Sequence, residues 1–500
     1  MSFSWKKLQN GSDIRGVAMP GIEGEEVNLS TNTAEILGKS FGQWMMKNTS
    51  IKNEKLTIGI GMDSRLSGPA IKASFSKGLQ SQGAKVLDFG LATTPSMFMS
   101  TQFEATNCDG AVMITASHLP WNRNGFKFFT TKTGFEKANI TELLSIAEKG
   151  IFDQIPGGKC TKSDIITPYS EFLIHYIKEK TGMSQPLSGL KIVLDAGNGA
   201  GGFFAKKILH PLGADTGGSV YLEPDGNFPN HAPNPEDKAA ATSIQNTVLQ
   251  NKADLGIIFD TDVDRAAVVD KEGNSINRNA LIALLSTIVL KEHPGSTIVT
   301  DSVTSDGLTK FILAHHGRHL RFKRGYKNVI NESIALNARG KESWLAIETS
   351  GHAAFKENFF LDDGAFLVAK VLVEVARLAK ENKTITSHLD ALEQPVEANE
   401  FRISIKNSDF KSYGETVIIK LKEFLENQEG WLAEPVNYEG LRVSCDKKNG
   451  NGWFLLRLSL HDPVLPLNIE SNSTGGVELI ASRLRPFFEQ FKELNNISLI

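Results

Sequence analysis

The chain has 500 residues, 40% of them hydrophobic and 22% charged, with 54 Lys+Arg against 57 Asp+Glu for a formal net charge of -3. At roughly 100–200 residues per domain this is too long for one core, and the charge balance argues against a dedicated nucleic-acid or membrane-surface binder. No stretch approaches the roughly 20 apolar residues that span a bilayer, and the scattered Cys108, Cys160 and Cys445 make neither a C-x-x-C zinc pair nor a disulfide framework.

The start, "MSFSWKKLQNGSDIRG", lacks an apolar signal core, so a cytoplasmic protein is expected, with a processed organellar form left open. "KLTIGIGMDSRLSGPAIKASF" then reads as a strand, a polar turn at Asp63 and an amphipathic helix. The layout returns in "LKIVLDAGNGAGGFFAKKIL" at Asp195 and in "STIVTDSVTSDGLTKFILAHHG" at Asp301. Strands alternating with helices argue for parallel α/β sheets, whose ligands gather at the carboxyl ends of strands, and the fold expected for the chain as a whole is three similar α/β domains with mixed sheets. After about residue 397, "FRISIK", "TVIIKLKEFL", "YEGLRVSCD" and "GWFLLRLSL" read as short strands closed by the helix "GVELIASRLRPFFEQFKELN", a smaller α+β domain. The expected domains are 1–158, 159–278, 279–397 and 398–500.

Several loops carry chemistry. In "TASHLPWNRNGFKFF", Ser117 beside His118 fits a nucleophile, a phosphate carrier, a cap or a plain turn residue. "LDAGNGAGG" matches G-x-G-x-x-G at Gly197, Gly199 and Gly202, with Glu223 where a ribose-binding acid would stand. The Pro-rich "YLEPDGNFPNHAPNPE" that follows favours a tight packing turn over a dinucleotide site. In "ADLGIIFDTDVDRAAVVDKEG", Asp260, Asp262 and Asp264 alternate between two strand-like runs, and like charges so close call for a cation. An EF-hand would need Gly at Arg265 and Glu at Lys271, so Mg2+ in phosphoryl transfer suits the loop better. The basic "RHLRFKRGYK" suits nucleic acid, a small anion or a solvated surface. In "AIETSGHAAFKENF", Glu348 and Ser350 suit sugar hydroxyls and His352 suits proton transfer. In "LRLSLHDPVLPLNIES", Arg457, Ser459 and His461 alternate as phosphate donors.

"SDIRGV", "TASH…NGFK", "PDGNFPNHAPNPE", "DTDVDR", "ETSGH" and the Arg-x-Ser strand, in this order, resemble the α-D-phosphohexomutase family over nearly the whole chain. The resemblance implies four domains around a central cleft and transfer of phosphate between the 1 and 6 hydroxyls of a phosphohexose. The carrier would be a phosphorylated Ser117, and the route a hexose 1,6-bisphosphate that also acts as activator. It assigns Ser117, Asp260, Asp262 and Asp264 to one Mg2+ per chain, and Lys127, Arg15, His118 and His352 to the catalytic centre. Arg265 would orient the acidic loop or the phosphoserine, Glu348 and Ser350 would hold the 3 and 4 hydroxyls, and Arg457, Ser459, His461 and Tyr326 would bind substrate. Its partner is a phosphohexose, with neither nucleic acid nor membrane, acting as a monomer or homodimer.

The chain departs from the family's usual pattern at Leu119, in place of Asn, at the small Ser12, at Leu460, His461 and Asp462 before Pro463, and at Asn468, often Arg. "ETSGH" and "PVLPLNIE" look closest to the phosphoglucomutase/phosphomannomutase branch. Phosphoglucosamine mutase and a phosphosugar-binding homologue with little catalysis are the alternatives.

Overall fold

The computed structural model describes residues 4–49, 56–459 and 462–497. Its contacts divide into two units, Met1–Leu281 with Ser350–Ser387, and Ile282–Thr349 with His388–Ile500.

In the first unit, β1 (Gln9–Asn10), β2 (Asp13–Val17), β3 (Thr57–Met62), β4 (Lys85–Leu91), β5 (Gly110–Ile114), β6 (Arg123–Thr130) and β7 (Lys159–Lys162) form a sheet ordered β1-β2-β6-β5-β3-β4-β7. Pairing is parallel through β5, β3, β4 and β7, and antiparallel through β5, β6, β2 and β1. "GAVMI" of β5 is buried throughout, as a strand covered on both faces requires. A second mixed sheet, ordered β11-β10-β9-β8, joins β8 (Ile192–Asp195), β9 (Leu255–Phe259), β10 (Ala266–Asp270) and β11 (Ser275–Ile276). The antiparallel β9–β10 pair is closed at Phe259 and Ala266 by the aspartate loop.

In the second unit, β12 (Thr297–Thr300) pairs in parallel with β13 (Arg318–Arg321) and with β14 (Leu345–Ile347). The chain then re-enters the first unit through β15 (Ala353–Phe355). It finishes in an antiparallel sheet ordered β17-β18-β19-β20-β16-β21, from β16 (Glu397–Ile405), β17 (Trp431–Ala433), β18 (Leu441–Cys445), β19 (Gly452–Leu456), β20 (Val464–Ser471) and β21 (Leu494–Asn495). The helices Phe410–Leu425 and Gly476–Phe488 share its core.

Two expectations need correction. "TVIIKLKEFL" is the second half of the helix Phe410–Leu425, capped by Asp409 and not a strand. Its Thr-Val-Ile-Ile run suggests β structure, but Val417, Leu421 and Leu425 recur every fourth residue and are buried, and that packing overrides the local preference. After β8 the chain makes only a short π-helical stretch, Ala205–Leu209, and a 3-10 turn, His210–Leu212, where a regular amphipathic helix was expected.

The three strand-end acids are buried and do one job. Asp63 accepts from the Arg65 N–H at 2.9 Å and from Thr115 Oγ1 at 2.7 Å. Asp195 accepts from the Gly197 N–H at 2.9 Å, faces His231 Nε2 at 3.0 Å and accepts from Ser243 Oγ at 2.7 Å. Asp301 accepts from the Thr349 N–H at 3.3 Å and from Thr349 Oγ1 at 2.7 Å. Asp63 and Asp301 tie the ends of their strands to loops that carry candidate site residues, and Asp195 ties its strand to the glycine-rich turn and to His231 and Ser243. No described helix is long and apolar enough to cross a membrane.

Candidate active site

The turn between β5 and β6 holds Ser117 at φ +49, a left-handed backbone that costs a non-glycine residue about 1–3 kcal/mol unless its surroundings impose it. They do so through Arg65, 1% exposed, which donates to the carbonyls of Ser117 (2.5 Å), Leu119 (2.6 Å), Pro120 (2.6 Å) and Arg123 (3.0 Å). The Ser117 N–H donates to Thr115 Oγ1 at 2.8 Å, and Thr261 Oγ1 donates to the Ser117 carbonyl at 2.8 Å. The Leu119 departure therefore leaves the turn intact, because its backbone carbonyl is the anchored group. Ser117 Oγ lies 3.1 Å from Asp260 Oδ2 and 3.3 Å from Nδ1 of the exposed His118.

Asp260, Asp262 and Asp264 are fully buried and present oxygens within 4.8 Å of one another. Thr94 Oγ1 donates to Asp262 Oδ2, while Asp262 Oδ1 and both oxygens of Asp264 have no hydrogen-bond partner. Burial, with the charges of Asp264 and Asp262, pushes the Asp260 carboxyl well above the usual carboxylate range; burial and Asp264 likewise raise Asp262. Burial would raise Asp264 too, but Lys127, His352 and Arg265 around it pull it below its ordinary value. Buried carboxylate oxygens without hydrogen bonds are costly by themselves, and three hard oxygen donors suit Mg2+.

The cations are equally fixed. Lys127 returns on β6, register partner of Met113, with Nζ 3.3 Å from Asp264 Oδ2 and 3.2 Å from Asp13 Oδ2. Arg15 on β2 donates to Asp13 Oδ2 at 2.8 Å and to the Thr115 carbonyl at 2.7 Å. Arg265 donates its backbone N–H to Asp260 Oδ1 at 3.2 Å, holds Asp260 Oδ2 with Nε at 3.4 Å, and reaches Asn234 Oδ1 at 3.1 Å. His352 forms a backbone bridge with Arg265, and its Nδ1 sits 2.6 Å from Asp362 Oδ2. Burial opposes its charge, yet Asp362 and Asp264 raise the His352 pKa. The adjacent Asp363 instead caps the helix Gly364–Ala379 and accepts from Tyr169 at 2.6 Å.

The G-x-G-x-x-G stretch is a packing turn. A Cβ on Gly199 would lie 2.7 Å from the Thr261 carbonyl oxygen, and one on Gly202 1.9 Å from that of Leu222. Both glycines let the chain press against the aspartate loop or the following segment, and Glu223 pairs with Lys206 on the surface.

In the second unit, Glu348 is 5% exposed and accepts from the Gly325 N–H at 2.6 Å, and Tyr326 opens the helix Tyr326–Ala338. Arg457 follows β19, 7% exposed, with its Nε lacking a hydrogen-bond partner. Asp462 N–H donates to Ser459 Oγ at 3.3 Å, and the Asp462 carboxylate, 63% exposed, lies 3.7 Å from Arg402. Asn468 donates to Glu400 Oε2 at 3.0 Å. Ser350, in the first unit, carries a buried Oγ without a hydrogen-bond partner. His461 and Leu460 lie outside the described residues.

The structure thus brings together Ser117, His118, Arg15, Lys127, the three aspartates, Arg265 and His352, while Glu348, Tyr326, Arg457 and Ser459 belong to the second unit. Sequence reasoning missed Arg65, Thr115, Asp13 and Asp362. The only available signals were an arginine two residues past the strand-end Asp63 and the "DDG" doublet, which reads simply as a helix cap.

Models of phosphoglucomutase/phosphomannomutase α/β/α domains I, II and III match residues 6–153, 169–273 and 277–396. The chain is 33% identical over 439 residues to a phosphoglucomutase of Neisseria gonorrhoeae, covering 86% of this chain and 88% of that protein. It is 32% identical over 471 residues to a phosphomannomutase/phosphoglucomutase of Pseudomonas syringae pv. tomato, covering 94% and 92%. A crystal structure of a phosphoglucomutase/phosphomannomutase family protein from Burkholderia thailandensis aligns with a TM-score of 0.79 at 26% identity, covering 98% of both chains.

Proposed function

This chain belongs to the α-D-phosphohexomutase family and is a phosphohexomutase of the phosphoglucomutase/phosphomannomutase type, and from that premise we propose that Ser117 carries the phosphoryl group that it moves between the 1 and 6 hydroxyls of glucose and mannose phosphates. One observation carries the mechanism: Ser117 Oγ lies 3.1 Å from Asp260 within a buried aspartate loop whose other members hold oxygens without hydrogen-bond partners.

In the first half-reaction a sugar hydroxyl oxygen forms a bond to phosphorus as the Ser117 Oγ–P bond breaks. The hydroxyl proton passes to His352 Nε2, whose ring Asp362 orients from Nδ1. The products are a hexose 1,6-bisphosphate and a serine whose departing oxygen takes a proton from Lys127. In the second half-reaction the serine hydroxyl gives that proton back to Lys127 as its oxygen takes the other phosphoryl group, and His352 returns its proton to the sugar oxygen released. Asp260, Asp262, Asp264 and the Ser117 group would hold a Mg2+ ion, which would neutralise charge on the transferring phosphoryl. Lys127 and Arg15, both pinned by Asp13, balance the charge of a phosphoserine, which carries about two negative charges. Arg265 fixes Asp260; Glu348 and Ser350 hold sugar hydroxyls; Arg457 and Ser459 bind the phosphate that is not reacting, with His461 and Tyr326 as further substrate-binding residues. The domain limits proposed are 1–158, 159–278, 279–397 and 398–500, in a cytoplasmic monomer or homodimer.

Ser117→Ala is expected to abolish conversion of glucose 1-phosphate to glucose 6-phosphate, assayed with Mg2+ and a trace of glucose 1,6-bisphosphate. Near-normal turnover would reject the serine carrier. A panel of glucose, mannose and glucosamine phosphates fixes the sugar, and silence across it would favour a phosphosugar-binding protein.

A further inference from the structure

We propose that Thr94 is a positioning residue that limits Asp262 to a single cation-binding oxygen, and that it thereby makes the aspartate loop prefer Mg2+ to Ca2+; this rests on the phosphohexomutase function and the metal loop proposed above. Thr94 opens the short helix Thr94–Met99 and is 4% exposed. Its hydroxyl is not spent on that helix, because Thr93 is the cap and accepts from the Ser96 N–H at 3.2 Å. Instead the Thr94 N–H donates to the Asp262 carbonyl at 2.9 Å, and Thr94 Oγ1 donates to Asp262 Oδ2. This double contact joins the segment after β4 to the loop between β9 and β10, 168 positions further along the chain.

The grip matters because the loop backbone is strained. Val263, the residue after Asp262, has φ +65, a left-handed conformation that a β-branched residue adopts only when its surroundings impose it. The constraint acts from both sides. Thr94 holds Asp262 before it, and the Gly364 N–H donates to the Val263 carbonyl at 3.1 Å after it. Asp262 itself is fully buried, and with Oδ2 taken by Thr94 its Oδ1 is left without a hydrogen-bond partner.

The neighbouring acids repeat the pattern. Asp260 Oδ1 accepts from the Arg265 N–H at 3.2 Å, and Asp264 Oδ2 faces Lys127 Nζ at 3.3 Å. In each acid, one oxygen already meets a donor of the protein. Mg2+ demands near-octahedral geometry at short distance, whereas Ca2+ takes more oxygens and accepts both from one carboxylate. Single oxygens offered from a fixed backbone suit the smaller ion, and at Asp262 the hydroxyl of Thr94 supplies the restriction.

Binding of the metal alone tests this, read as the rise in melting temperature when the chelator-stripped full chain is titrated with Mg2+ or Ca2+. Thr94→Val keeps the side-chain shape and removes the hydroxyl. It is expected to raise the Mg2+ concentration at half-maximal shift about ten- to a hundredfold. The change for Ca2+ should be smaller, so that the preference for Mg2+ falls. Thr94→Ser, which keeps the hydroxyl, should retain the parental preference. An unchanged Mg2+ midpoint in Thr94→Val would overturn the proposal. So would an equal change for the two ions, which marks a purely structural contact. Asp262→Asn run alongside separates the two levels. No Mg2+ response in the parent, or a parental response in Asp262→Asn, rejects the metal loop itself, whereas a response lost in Asp262→Asn but parental in Thr94→Val rejects only this contact.

Discussion

Around Ser117, acids are left short of donors: Asp262 and Asp264 keep buried oxygens without hydrogen-bond partners, while the backbone that carries the serine is clamped at four carbonyls by Arg65. Around Arg457 the balance is reversed. Asp301, Glu400 and Glu439 are each satisfied by neighbouring donors, and it is Arg457 Nε that lacks a hydrogen-bond partner. On the function proposed above, the first region receives a cation and the second an anion. A residue's charge alone does not show which; what matters is whether its partners are already inside the protein.

The largest effect should come from removing one of the crowded acids. Asp262→Asn is expected to lower turnover by at least about a hundredfold. With a chelator present, the same variant should melt higher than the parent, because a buried like-charge contact with Asp264 has gone. A chelated variant that melts lower would break the contrast, for it would make the aspartate loop self-sufficient.

Arg65→Lys comes next. It keeps the charge but cannot fork across the carbonyls of Ser117, Leu119, Pro120 and Arg123. A loss of about 2–4 kcal/mol in denaturant unfolding is expected, along with a lower steady-state phosphate content at Ser117 by intact mass. Parental stability would show that the turn holds its left-handed serine without the clamp.

The smallest effect tests the second unit. Burial pushes the Glu470 carboxyl up to about 7, against the opposing pull of Arg442 and of the Trp453 Nε1–H bond. Because the folded value lies above the unfolded one, this group's contribution to stability is fully present below the unfolded pKa and is lost as pH rises through about 7. Glu470→Gln cannot titrate, so from pH 5 to pH 8 its unfolding free energy should fall by about 1–3 kcal/mol less than that of the parent. Parallel pH profiles for the two proteins would remove burial of this acid as a source of pH sensitivity.

Much of the first region was legible because its chemistry is written in short, dense segments. Alternating aspartates between two apolar runs have few uses other than a cation site, and Lys127 on the strand after the serine turn needs only an antiparallel return to face the same point. What escaped was held by long-range contacts. Arg65 meets residues more than fifty positions away, and Asp13 joins Arg15 on one strand to Lys127 on another. The helix Phe410–Leu425 was misjudged for a related reason, since its β-branched run favours a strand locally and only the shared core reveals the four-residue spacing of buried positions. Asp362 carries no sequence signal of its own: its neighbour Asp363 takes the helix cap and leaves it facing His352.

The sequence by itself determined the recurring strand ends at Asp63, Asp195 and Asp301, the smaller α+β closing domain, the aspartate loop and the ordered motifs, because hydrophobic periodicity and clustered charge are local properties of a chain. Only the tertiary structure decided that the glycine-rich turn packs against Thr261 and Leu222, that Asp462 turns to Arg402, and that Arg65 and Asp362 stand behind the serine and the histidine. A hydrogen bond between residues distant in sequence leaves no periodic trace, so the partners that orient reactive groups become visible only when the chain is folded.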